Sequence, residues 1–177
     1  MRKLICGFII FLASQLALAA GNATPFGVEV GIASLAEVQK KIGSQTLLRQ
    51  KGINQYSNGK MLEGDGRDLD VEGVDKVTFI FDSSDILVGV LVSMQKDPKS
   101  LVKAFVGKYQ IVSNRIDSFM NYGYAKFQKG ESVIEIDAPH LSFSMEVRYL
   151  TKKFMAVFLQ QSAADEALKQ KKKANGL

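Results

Sequence analysis

Apolar and polar residues alternate most cleanly from Leu141 to Tyr149: Leu141, Phe143, Met145, Val147 and Tyr149 take one phase, and Ser142, Ser144, Glu146 and Arg148 take the other. A period of two belongs to a strand with one face in a core and the other in water, so this run predicts a half-buried strand. The same period in Val77, Phe79 and Phe81, followed by the loop 82–85 and then by ILVGVLVSM, predicts a hairpin at the centre of a sheet. Shorter runs predict further strands: PFGVEVG with Phe26, Val28 and Val30 in phase, TLLRQKGI, the region around NGKML, YGYAKFQ, VIEID and FMAVFLQ. Ser57-Asn58-Gly59, Lys129-Gly130 and Thr151-Lys152-Lys153 supply turn chemistry between them.

Two segments follow a helical period instead. In SLAEVQKKIG, Ser34 can accept from a first-turn amide while Glu37 reaches back, and Leu35, Val38 and Ile42 share one face. Gly43 suits a left-handed cap, which predicts a helix from Leu35 to Ile42. In KDPKSLVKAFVGKY, Asp97 is the N-cap and Pro98 the first helical residue, with Leu101, Ala104, Phe105 and Tyr109 facing inward.

Helix followed by strands thus occurs twice. At an offset of 66 residues Tyr56, Lys60 and Gly64 align with Tyr122, Lys126 and Gly130, and the hairpin 77–94 with 143–160. The expected fold is α+β: a largely antiparallel sheet with two short helices packed on one face. It spans 20–160, either as one unit or as tandem halves 26–94 and 97–160.

The first residues change the picture of where this fold works. Arg2 and Lys3 precede an apolar run that ends in small residues, the layout of a secretory signal peptide over 1–19, with Ala17-Leu18-Ala19 as the cleavage motif. No later stretch reaches the roughly 18 apolar residues of a membrane span, so the mature chain is expected in the periplasm or secreted, without a transmembrane segment. Cys6, the one cysteine, would leave with the signal, taking disulfides, thiol nucleophiles and thiolate ligands with it.

Charge excludes one partner class. The formal charge of +5 falls to +3 without Arg2 and Lys3, and the lysine-rich tail 161–177 carries much of the remainder. No dense basic stripe is left for nucleic acid. Lys171-Lys172-Lys173 could make weak contact with an anionic surface.

The acidic stretch EGDGRDLDVEGVD, from Glu63 to Asp75, invites a calcium reading. An EF-hand needs oxygen ligands at its first, third and fifth positions, glycine at the sixth and glutamate at the twelfth. Counted from Asp68 the twelfth residue is Phe79, inside a predicted strand, so the stretch reads as a solvated inter-strand loop. His140 is the only histidine, and neither a G-x-S-x-G elbow nor a phosphate-binding glycine loop is present. Residues for catalysis, a metal or a cofactor are therefore not assigned.

Strand phase does nominate a binding surface. With Gly123, Ala125 and Phe127 inward, Tyr122, Tyr124 and Lys126 point outward and join Glu135, Glu146 and Arg148 on one open face. Tyrosines among charges suit protein recognition.

The segment GIASLAEVQKKIG resembles the glycine, short helix, glycine opening of small envelope proteins of the BamE type, and two helix-plus-meander halves resemble the architecture of the beta-lactamase inhibitory protein. The chain departs from the first in lacking a lipidated cysteine and from the second in lacking disulfides. The resemblance implies a fold and a protein-binding habit. The expected function is that of an exported, non-enzymatic binding protein, its partner another envelope protein. Two other uses stay open: an envelope hydrolase acting through carboxylates or His140, and a carrier of a small apolar ligand between helices and sheet.

Overall fold

The computed structural model describes residues 21–175; Arg2, Lys3, Cys6 and the rest of the segment expected to be a signal peptide lie outside them. Around the central turn, Asp82 accepts the amides of Ser84 at 2.9 Å and Ile86 at 3.0 Å, and Asp85 takes a positive φ of 59°. That turn joins β3 (Val74–Asp82) to β4 (Leu87–Gln95). Outward from β3 lie β2 (Asn58–Asp65) and the edge strand β1 (Arg49–Ile53). On the other side β4 pairs with β8 (Ser144–Thr151), then come β7 (Ser132–Ala138), β6 (Gly123–Lys129) and the edge strand β5 (Gln110–Ile116). Every pairing in this eight-stranded sheet is antiparallel. Both edge strands carry a register shift, at Gln50/Gly52 and at Ile111/Ser113, a device that discourages edge-to-edge growth.

The helices α1 (Leu35–Ile42) and α2 (Pro98–Val106) begin where their caps predict. Ser34 Oγ accepts from the Glu37 amide at 3.2 Å, and an Asp97 carboxylate oxygen from the Ser100 amide at 3.2 Å. Ser34→Ala is expected to cost about 1 kcal/mol of stability by urea titration, the usual value of a lost N-cap. Both helices pack on one face of the sheet, where Val38, Ile42 and Phe105 join Val77, Phe79, Phe81, Val90, Phe127, Ile134 and Val147 in one core. The α+β architecture expected from the sequence is present: one antiparallel sheet with two short helices on one side. Its element order is a helix and four strands, α1 with β1 to β4, then α2 with β5 to β8.

Four local expectations are corrected. PFGVEVG is not a strand: Pro25–Gly27 form a 3-10 turn with Phe26 at φ 52°, and Val28 and Val30 reach the core from a loop whose backbone bonds to neighbouring segments. Gly43 ends α1 with φ −64°, not in the left-handed region. Leu141 and Phe143 do not point inward, because β8 begins only at Ser144; Ser142 Oγ accepts the Ser144 amide at 3.1 Å and turns the chain, leaving both side chains in solvent. FMAVFLQ is helical: α3 (Lys152–Asn175) starts directly after β8, with Thr151 Oγ1 accepting the Phe154 amide at 3.1 Å. Hence 143–160 contains no hairpin, and it is β7 and β8 that occupy in the second half the places of β3 and β4. The tail's backbone is helical to Asn175, while the side chains of Lys171, Lys172 and Lys173 lie outside the described residues.

Helix α3 crosses to the opposite side of the sheet from α1 and α2. There Phe154 and Met155 cover Ile80, Val133 and Leu150. Gly89 makes the approach feasible, since a Cβ on it would sit 2.9 Å from Leu150 Cδ2 and 3.5 Å from the Phe154 ring. No described helix is long and apolar enough to cross a membrane.

Candidate functional site

Antiparallel register decides which side chains share the face left open by α1 and α2, because residues paired directly across strands point the same way. One row runs Lys126, Glu135, Arg148, Leu91, Thr78, Glu63, and the next runs Tyr124, Asp137, Glu146, Ser93, Lys76, Asp65. A third row, through Val133, Leu150 and Ile80, is the one that α3 covers. The remaining two rows form a polar surface of fixed geometry.

Its second-half portion is an ion-pair network. Arg148 Nη2 donates to Asp137 Oδ2 at 3.1 Å, its Nε donates to Glu146 Oε1, and its Nη1 lies 3.7 Å from Glu135 Oε2. Lys126 Nζ is 3.4 Å from Glu135 Oε1, which also accepts the Tyr124 hydroxyl. Burial, reinforced by the hydrogen bond to Glu135 and its negative charge, pushes the Tyr124 hydroxyl above the ordinary tyrosine range. Burial opposes the charge on Arg148, but its bonds and attraction to Glu146 and Asp137 outweigh that and hold its pKa above normal. Both shifts favour a cationic Arg148 beside a neutral Tyr124 phenol.

Five of the six residues nominated from strand phase, namely Tyr124, Lys126, Glu135, Glu146 and Arg148, meet here. Glu135, however, is only 7% exposed: it sits beneath the network and holds its neighbours in place, so it is not available as a free contact. Tyr122 stands apart. It precedes β6, and its ring packs edge-on against His140 with centroids 4.6 Å apart. Gly123 separates the two tyrosines at φ 130°, where a Cβ would lie 2.2 Å from the Arg115 carbonyl oxygen. Sequence reasoning missed Asp137 as a member, although it shares strand phase with Glu135 and pairs across to Tyr124.

It missed the apolar half of the site as well. Beside Glu135, Glu146 and Arg148 a groove of about 340 Å³ opens between the sheet and α3, lined by Tyr56, Leu91, Phe154 and Phe158. Tyr56 and Phe158 meet edge-on at 5.1 Å. The signal was the spacing of Phe154 and Phe158, four residues apart, which a helix places on one side.

Elsewhere, in the acidic stretch 63–75, Asp65 at the end of β2 and Asp68 after it are held by local partners. Asp65 is bonded to the Arg67 side chain and amide, which lowers its pKa to about 2, and Asp68 accepts the Thr46 hydroxyl at 2.8 Å. Among the described residues no group of three or more His, Cys, Asp or Glu side chains is placed to hold a metal ion. The contact found for the His140 ring is with Tyr122, and Glu135, Asp137 and Glu146, the carboxylates of the second-half portion of the open face, are all engaged by Arg148.

Fold and site together define an α+β protein in which an eight-stranded antiparallel sheet is covered on one side and presents an ordered charged face on the other. No family model matches the chain, and neither curated proteins nor solved structures give a match.

Proposed function

We propose that this is an exported, non-enzymatic interaction protein that captures another envelope protein on the open sheet face. The carrying observation is the juxtaposition of a rigid charged pattern, Tyr124, Lys126, Asp137, Glu146 and Arg148, with an apolar groove beneath α3. Recognition surfaces combine an apolar anchor site with fixed polar groups around it, because the anchor supplies affinity and unmatched charges reject wrong partners. Side chains already held by cross-strand pairs lose little freedom on docking. This use agrees with the protein-binding habit that the resemblance in element order implies.

The test compares baits in a chemically cross-linked envelope extract. Tyr124→Ala and Ser93→Arg each alter the face, and Lys103→Glu on α2 is the control. Loss of one cross-linked species with both face variants and its retention with the control is the expected result. Identical species with all baits, or none with the unsubstituted protein, would remove the proposal.

A second reading rests on a separate observation. Between α2 and the sheet lies a cavity of about 300 Å³ lined by Phe26, Leu101, Phe105, Tyr109, Val147 and Tyr149. Its size matches the lower end of small-molecule sites, which supports the carriage of one small apolar ligand.

A further inference from the structure

The side chains that break the expected strand phase form a feature of their own. The loop 117–122 joins β5 to β6 and the loop 139–143 joins β7 to β8, and the pairing of Gly123 with Ala138 brings the two loops side by side on one rim of the sheet. From them project Phe119, Met120, Leu141 and Phe143, exposed by 91%, 61%, 95% and 100%. Isolated exposed apolar residues are ordinary, but four bulky ones together mark a contact surface.

The loops that carry them are well anchored. Asp117 Oδ1 accepts the amides of Phe119 at 2.8 Å and Met120 at 2.6 Å. Lys96 Nζ donates to the carbonyl oxygens of Pro139 at 2.5 Å and His140 at 3.2 Å, and Lys99 Nζ donates to that of Ser118. The rings of Tyr122 and His140 tie one loop to the other. Anchored backbones with unsupported apolar tips are built to meet something outside the molecule.

We propose that this rim docks on an anionic lipid bilayer, the four apolar tips entering the interface while Lys96 and Lys99 meet the headgroups. Two observations favour a bilayer over a protein. The tips stand out into solvent, exposed by 61% or more, and none of them lines either of the two apolar cavities described above, so a protein partner would have to supply the whole complementary concavity, whereas lipid yields to any protruding shape. The cations immediately behind apolar tips reproduce the charge order of an interfacial anchor, apolar side inward and positive at the headgroups. The acidic loop between β2 and β3 shares the rim and borders the end of β4, where the Gly73 carbonyl accepts the Gln95 amide at 2.8 Å, whereas Lys99 and the loop 117–122 that it holds lie on the far side of β8 and β7, so that side would approach the membrane first.

The test uses the absence of tryptophan from the chain. Phe143→Trp places a sole indole at a tip, and its emission reports its own depth whatever other segments bind. With vesicles of phosphatidylglycerol and phosphatidylethanolamine the emission should shift to the blue and be quenched by brominated acyl chains. Adding Phe119→Ser, Met120→Ser and Leu141→Ser should weaken the vesicle-induced shift by about tenfold or more, since each residue removed takes away burial of a whole apolar side chain. The four positions are exposed, so an unchanged melting temperature is expected to verify folding. Emission indifferent to vesicles, a shift unaltered by the three serines, or a shift produced only by added envelope protein would each overturn the proposal.

Discussion

Phe79→Ala is expected to lower the free energy of unfolding by about 3–5 kcal/mol, a large share of the stability of a domain this size. Phe79 is fully buried in β3, pairing with Leu62 on β2 and Val90 on β4, and its ring meets Phe26 edge-on at 6.4 Å. Truncation removes the ring's burial and leaves a void that strands locked on both sides cannot collapse to fill. The next residue toward the N-terminus offers the contrast. Thr78 lies on the open face, half-buried, and Thr78→Ala should change stability by no more than about 0.5 kcal/mol. Urea titrations of both variants check the pair, and equal losses would mean that the two faces of β3 do not differ as described.

That contrast also shows which parts of the molecule could be read from the chain. Phase within β3, β6 and the part of β8 after Ser144 was legible because a buried face punishes a slip of one residue along the whole strand. The starts of α1 and α2 were legible for another reason: Ser34 with Glu37, and Asp97 with Pro98, are short-range signals that need no distant partner. Where local signals compete, the reading failed. FMAVFLQ is apolar enough for a strand or a helix, and only its packing on Ile80, Val133 and Leu150 selects the helix. Leu141 and Phe143 continue the alternation of β8, yet the hydroxyl of Ser142 ends the strand before them.

The site was half legible on the same grounds. Phase alone assigned Tyr124, Lys126, Glu135, Glu146 and Arg148 to one side of the sheet. It could not give the register that places Arg148 between Glu135 and Leu91, nor the crossing of α3 that adds Tyr56, Phe154 and Phe158. Register is a property of two strands at once, and the helix crossing is a property of the finished sheet. Neither is encoded at a fixed spacing in the chain.

Arg148→Ala should be the most damaging change on the open face, because it leaves Glu135, Asp137 and Glu146 facing one another with Lys126 as the only remaining cation of the network. Removing one partner of a fully buried pair costs about 3–5 kcal/mol. Arg148 keeps 32% of its side-chain surface in contact with water, so solvent screening reduces the expected loss to about 2 kcal/mol. The sign of the pH response separates this electrostatic cause from lost packing. Crowded carboxylates without their cation take up protons more readily in the folded variant than in the unfolded chain, so the deficit relative to the unsubstituted protein should narrow as the solution is acidified. A purely steric loss would not change with pH. Glu135→Gln in the Arg148→Ala background should return part of the stability, and a double-mutant cycle over the two positions should give a coupling of about 1 kcal/mol or more. Additive losses, with no dependence on pH, would show that Arg148 acts only through its packing and that the charged face is not held by the network.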